Sequence, residues 1–192
     1  MRTSFGRSFS TIATILLLAL TVLGASFQML VKDYLTENTV AGLKQDAEII
    51  ANLAAAYSLD GSLSNRDFLL NLDVASQVSD ADAVIFDADG TVVLCSDALL
   101  GCKHQGLHLN REYMDKVIRA GGDTATGVID GLYTDHRYVV ATPISNSAGA
   151  VSGIVIVSTP SNATTEILNK ISNLFLTAAP SCSRWLPQPL HP

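Results

Sequence analysis

Cys95, Cys102, His104 and His108 form the pattern C-x6-C-x-H-x3-H. Thiolate and imidazole are the ligands that zinc and copper prefer, so the cluster could hold a metal. The six-residue gap between the cysteines is longer than the two to four usual in structural zinc sites, so no metal ligand and no cofactor is assigned. In an oxidising compartment the pair instead closes a Cys95–Cys102 disulfide, with free thiols as the remaining alternative. A second group is cationic and aromatic: Lys103, His108, Arg111, Arg119, Tyr133, His136, Arg137 and Tyr138. Such a cluster could receive a small anion, because arginine grips a carboxylate in a forked geometry and tyrosine supplies an apolar wall with one polar tip. Arg111, Tyr133, Arg137 and Tyr138 are the candidate ligand contacts. Strand alternation stops Arg137 and Tyr138 from facing the ligand together, and Tyr138 with Arg111 is the favoured pair. The plain alternative is a set of solvated loop side chains.

The segment VIFDADGTVV, residues 84–93, is similar to the strand and DxDGT motif of haloacid-dehalogenase-type phosphatases. That resemblance implies Asp87 as the nucleophile toward phosphorus and Asp89 as the proton-handling group, both on magnesium. Those enzymes set the motif on the central parallel strand of a doubly wound sheet. Here hairpins follow, and Asp123 and Asp130, which could mimic the downstream acidic pair, flank a turn entering a strand. Asp-Gly between two β-rich runs is a strong hairpin signal, so a β-turn is expected. An extracytoplasmic phosphatase using Asp87 and Asp89 remains the alternative function.

The elements that carry these residues lie beyond an apolar N-terminus. Ser8 to Val31 holds no charged side chain, and Ile12–Val31 is 20 residues long, enough for a helix to cross the hydrocarbon core. Arg2 and Arg7 precede it, which leaves the N-terminus in the cytoplasm and sends the rest of the domain outside. A cleavable signal peptide ending at Gly24-Ala25-Ser26 is the rival, disfavoured because Phe27, Met29, Leu30 and Val31 continue the apolar pattern. Val40, Leu43, Ala47, Ile50, Ala54 and Tyr57 then follow a 3–4 spacing, which suits either a short coiled-coil seam or a helix packed on its own sheet. A homodimer through this seam and the span is expected.

A second helix is expected through Phe68, Leu69, Leu72 and Val78, and a third from Asn110 to about Arg119, stopped by Gly121-Gly122. Strands are expected at Ala83–Phe86, Thr91–Cys95, about Thr126–Asp130, Arg137–Ile144 and Val151–Ser158. Consecutive hairpins make the sheet antiparallel and the fold α+β. The net charge of −6 argues against a nucleic-acid partner. Glu166–Ala179 starts as the approach to a second span and then meets Pro180, and the proline-rich tail suits a truncated or frame-shifted product.

The anchor, the juxtamembrane helix and ADAVIFDADGTVVLCSD together resemble the extracytoplasmic sensor of bacterial sensor histidine kinases. YVVATPISNSAGAVSGIVIVST resembles the closing hairpin of a PAS-like or single Cache domain, with Tyr138, Pro143, Gly149 and Gly153 at its marker positions. The resemblance covers roughly residues 8–176 and implies a five-stranded antiparallel sheet with a long N-terminal helix. It also implies signal transduction from a small, anionic ligand bound between the sheet and residues 102–119. The expected organisation is an anchor at 8–31, the sensor at 32–166, an incomplete second span at 167–179 and a disordered tail at 180–192. A family member would continue into a kinase core, which these residues do not contain, so no enzyme activity is assigned. A chemotaxis receptor is the variant parent.

Overall fold

The structure is a computed structural model that describes residues 2–59, 66–99, 101–129, 131–146 and 149–162, with Lys170 and Asn173. The chain divides into two compact units, residues 1–36 with 163–192 and residues 37–162. Among the described residues three helices, α1 (Arg2–Leu59), α2 (Arg66–Ser79) and α3 (Arg111–Ala120), accompany five strands. The strands are β1 (Asp82–Asp87), β2 (Val92–Cys95), β3 (Asp123–Gly127), β4 (Arg137–Ser145) and β5 (Val151–Pro160).

In the first unit the described chain is the N-terminal part of α1. It is long and apolar enough to cross a membrane, and none of its apolar stretch is buried. Ile12, Leu16, Leu20 and Leu23 are all exposed. Two polar side chains inside it satisfy themselves: the hydroxyls of Thr14 and Thr21 donate to the carbonyls of Ser10 and Leu17 at 2.8 and 2.7 Å. That closure suits lipid, where an unpaired polar group is costly. The expected second span and tail lie outside the described residues, apart from Lys170 and Asn173.

The second unit is an antiparallel sheet in the order β2-β1-β5-β4-β3, covered on both faces. Alternation sorts its side chains. Ala83, Ile85, Leu94, Tyr138, Val140, Ile144, Val155 and Val157 form one core with Leu43, Ala47, Ile50, Ala51 and Ala54 of α1 and Phe68 and Leu72 of α2. Val84, Phe86, Cys95, Val139, Ala141, Ile154 and Ile156 form the other with Leu109, Met114, Val117, Leu132 and Tyr133. The 3–4 stripe on α1 therefore belongs to the chain's own sheet: Leu43 and Ile50 are 4% and 3% exposed. Of the two sequence readings the packed helix holds, and a seam through Leu43 and Ile50 is not free for a second chain.

Two close approaches fix the sheet. Gly153 lies beside β1, where a Cβ would meet the carbonyl oxygen of Phe86 at 2.1 Å. At the β1–β2 turn Gly90 takes φ +85°, and a Cβ there would sit 2.9 Å from the Leu109 carbonyl oxygen. The Gly90 carbonyl in turn accepts from the Leu109 N–H at 2.8 Å, which ties the loop after β2 to the hairpin tip. β3 begins three residues earlier than the sequence suggests. Gly121, left-handed at φ 70°, closes α3, and Asp123 enters the sheet at once, paired with Ala141. Its carboxylate is held by Lys116 at 2.9 Å.

Candidate functional site

The site is built from the loop between β2 and α3, the turn before β4, and the sheet face beneath them. The loop is pinned at both ends. Ser96 donates its N–H to the Ala83 carbonyl at 2.8 Å and accepts the Ala83 N–H on its hydroxyl at 3.1 Å. At the other end Asn110 caps α3, its side-chain oxygen accepting from the Glu112 N–H at 2.9 Å. A helix start leaves orphan N–H groups, and the asparagine satisfies one of them.

Between these anchors Cys95 and Cys102 come together with Cα atoms 5.8 Å apart and sulfurs in bonding contact. That Cα spacing suits a disulfide. Asp97 and His104 join them, and the ligand atoms of all four residues lie within 4.8 Å of one another. His104 is 9% exposed and its Nδ1 has no hydrogen-bond partner among the described residues. One Asp97 carboxylate oxygen is likewise buried and unpartnered, while the other accepts from the Lys103 N–H at 3.4 Å. His108, the other histidine of the sequence pattern, is elsewhere: it bridges Thr91 at the hairpin, with Nδ1 3.3 Å from the threonine hydroxyl. Spacing alone missed Asp97, and its only signal was its place between the two cysteines.

The His104 ring meets the edge of Tyr133, with centroids 5.3 Å apart. Arg137 lies over the other aromatic contact, its guanidinium 4.2 Å from the Tyr133 ring centroid. Burial pushes the Tyr133 hydroxyl up to about 12, against the easing effect of Ser158 and Arg137. Ser158 is its neighbour, yet no hydrogen bond of regular geometry joins them. Tyr113 on α3 repeats the pattern: its buried hydroxyl has no partner and rises to about 12 through burial and then the charge of Asp123.

The four residues expected to contact a ligand separate. Tyr133 and Arg137 gather on the α3 side of the sheet. Tyr138 belongs to the opposite core with α1 and α2, so the favoured pairing of Tyr138 with Arg111 is reversed by strand parity. Arg111 is exposed at the first turn of α3. Arg137 is 6% exposed and already engaged. Its Nε donates to the Ser158 hydroxyl at 3.1 Å, and it pairs with Asp135 at 3.3 Å and with Asp82. It ties β1, β5 and the turn before β4 together.

The DxDG segment is a turn. The Asp87 carboxylate accepts from the N–H groups of Asp89 and Thr91 at 3.0 and 2.8 Å, capping the hairpin. β1 is antiparallel to both neighbours, unlike the parallel strand a phosphatase of that type would need. A shallow depression of about 250 Å³ lies on the α1 side, lined by Glu48, Ala51, Asn52, Thr142, Pro143 and Ser145.

No protein-family model and no curated protein matches the chain. Solved structures do. The sensor domain of the V. cholerae histidine kinase DctB aligns with TM-score 0.53 at 14% identity, over 73% of this chain and 60% of that one. The E. coli DcuS sensor domain gives 0.50 at 16%, over 68% and 98%. The ligand-binding domain of the Pseudomonas aeruginosa amino acid chemoreceptor PctC, in complex with GABA, gives 0.51 at 14%, over 70% and 63%. The chain thus spans about 60% of the length of the DctB sensor domain. These likenesses establish the fold: an α+β, PAS-like/Cache architecture shared with sensor domains of histidine kinases and chemoreceptors.

Proposed function

We propose that the chain is the extracytoplasmic ligand-sensing module of a bacterial two-component sensor histidine kinase. In this reading residues 8–31 anchor it in the membrane with the N-terminus in the cytoplasm, and the ligand is a small carboxylate-bearing molecule. One observation carries the reading beyond the fold. On the α3 side the buried hydroxyls of Tyr113 and Tyr133 have no hydrogen-bond partner of regular geometry among the described residues. Leaving such groups unpaired costs about 1–3 kcal/mol each, a deficit that a polar ligand would relieve. Exposed Lys103 and Arg111 flank the same loop and would attract a carboxylate. The GABA held by PctC carries a carboxylate, which favours the same ligand class here. Arg137, neutralised by Asp82 and Asp135, holds the turn rather than the ligand. The homodimer is retained in this reading through the span and the outer face of α1, where Ile49 is exposed. A chemotaxis receptor would use the same module in the same way.

The test is a thermal-shift screen of the detergent-solubilised full chain against amino acids and organic acids. A ligand at a hundred times its Kd should add about 2.7 kcal/mol of stability. Tyr133→Phe, Tyr113→Phe and Arg111→Ala should weaken that response, and a response unchanged in all three would remove the site from the α3 face. Phosphate release from p-nitrophenyl phosphate that disappears in Asp87→Asn would instead establish the phosphatase.

A further inference from the structure

The side chains of Cys95, Asp97, Cys102 and His104 are brought together by the β2–α3 loop with their ligand atoms within 4.8 Å of one another. We infer that these four residues form a zinc site that opens when the Cys95–Cys102 pair is in the dithiol state. The proposal is independent of the ligand-sensing reading.

The donor set comes first. Two thiolates, one imidazole and one carboxylate are all accepted zinc ligands, and zinc takes four of them in a tetrahedron. With Zn–S near 2.3 Å and Zn–N or Zn–O near 2.0 Å, a tetrahedron spaces its donor atoms about 3.3–3.8 Å apart. The donor atoms all lie within 4.8 Å of one another, and the tetrahedron requires the two sulfurs, here in bonding contact, to part to about 3.8 Å. A carboxylate in the set favours zinc over copper(I), which selects softer donors.

Two further observations point to a missing partner. The Nδ1 of His104 is buried without a hydrogen-bond partner among the described residues, in a residue only 9% exposed. One oxygen of Asp97 is buried and unpartnered beside it. Both are lone-pair donors when neutral or ionised respectively, which is what a cation requires. The Tyr133 ring packs against His104 in a T-shaped contact with centroids 5.3 Å apart. The cysteine gap that argued against zinc from sequence does not bind here, because the loop folds back to a Cα separation of 5.8 Å.

The sulfurs are in bonding contact, so the metal and the disulfide exclude each other. A dithiol reductant attacks the disulfide, forms a mixed disulfide, and leaves as its own cyclic disulfide, giving two protein thiols. Zinc then displaces one proton from each thiol as the two Zn–S bonds form. The loop would thereby report thiol redox state together with zinc.

The experiment uses the full chain in detergent carrying Cys182→Ser, so that the reactive thiols are Cys95 and Cys102. After reduction by excess dithiothreitol and removal of the reagent, zinc is added, the sample is desalted, and bound metal and free thiols are counted. The expected result is one zinc per chain, with both thiols protected, and none in the oxidised protein. Cobalt substitution should give thiolate-to-cobalt charge transfer and tetrahedral visible bands. His104→Gln and Asp97→Asn should each weaken zinc at least tenfold, whereas His108→Gln should leave affinity unchanged. Circular dichroism of each variant establishes that it is folded, and cobalt bands are read only on folded protein. Zinc absent from the reduced folded chain, equal zinc in the oxidised chain, or unchanged affinity in His104→Gln would overturn the site.

Discussion

A buried hydroxyl without a well-formed hydrogen bond destabilises the protein that contains it, and Tyr133, in contact with His104 and Arg137, holds such a group among the described residues. Tyr133→Phe should therefore leave stability at pH 7 unchanged or slightly raised, while weakening the proposed ligand. The pH dependence supplies an independent check. With the hydroxyl raised from 10.0 to about 12, the unfolded chain releases this proton first as the pH rises. This group's contribution to stability is fully present below pH 10 and lost between about 10 and 12, on the order of 1 kcal/mol being gone by pH 11. Urea unfolding at pH 9 and 11 should show that loss in the parent protein and a smaller one in Tyr133→Phe. Equal losses would mean that the hydroxyl is not held in its neutral form. Arg137 beneath it makes the opposite case. Its Nε and terminal nitrogens reach Ser158, Asp135 and Asp82. Arg137→Ala should cost about 1–3 kcal/mol, since it leaves the buried Ser158 hydroxyl and carbonyl without their donor. Asp82→Asn should cost much less, because the Asp82 carboxylate is half exposed and Asp135 remains. Denaturant midpoints compared for the two variants check the order.

At the scale of elements, the sheet is specified by one tight approach and one apolar stripe. Gly153 faces the Phe86 carbonyl so closely that a methyl group would meet its oxygen at 2.1 Å. Gly153→Ala should force β5 away from β1 and lower stability by about 2 kcal/mol or more, read as a fall in the thermal midpoint. A midpoint within a degree of the parent would mean that the strands separate freely. Leu43 and Ile50 form the other constraint, since both are buried against Tyr138, Val140 and their neighbours. Leu43→Asp should unfold residues 37–162 by placing an unpaired charge in that core, so loss of near-UV circular dichroism is expected along with any loss of self-association. These elements were largely legible. The hairpins at Asp89-Gly90 and Asn146 to Gly149, the Asn110 cap and the Gly121 stop are local chemistry, and the strands between them came out antiparallel. The α1 stripe left two readings open because an a/d spacing is satisfied equally by a sheet and by a second helix. The site was less legible. Arg137 and Tyr138 are adjacent, and only the register of β4 against β5 decides which faces α3. Asp97 enters the cysteine cluster through a loop that folds back, a tertiary event with no periodic trace in the sequence.

For the whole molecule the proposed membrane orientation decides which compartment the proposed site would read. Arg2 and Arg7 precede the apolar run, while the chain after it carries charges of both signs, beginning with Lys32 and Asp33. Positive residues close to a span stay on the cytoplasmic side, whereas acidic residues contribute little. The proposed arrangement therefore puts residues 37–162, the Cys95–Cys102 pair and the α3 face outside, where a thiol pair can remain oxidised. A fusion of alkaline phosphatase after residue 160 should be active, and a fusion of a cytoplasm-dependent fluorescent reporter at the same point should be dark. The charge argument itself is tested by moving the bias. Arg2→Gln with Arg7→Gln, combined with Asp33→Lys and Glu37→Lys, removes the basic residues before the span and adds two after it. That variant should transfer part of the population to the opposite orientation, with phosphatase activity falling as fluorescence rises. An unshifted ratio would mean that folding of residues 37–162, rather than flanking charge, sets the topology. A parent fusion fluorescent only in the cytoplasm would reverse the orientation and place the cysteine pair in a reducing compartment.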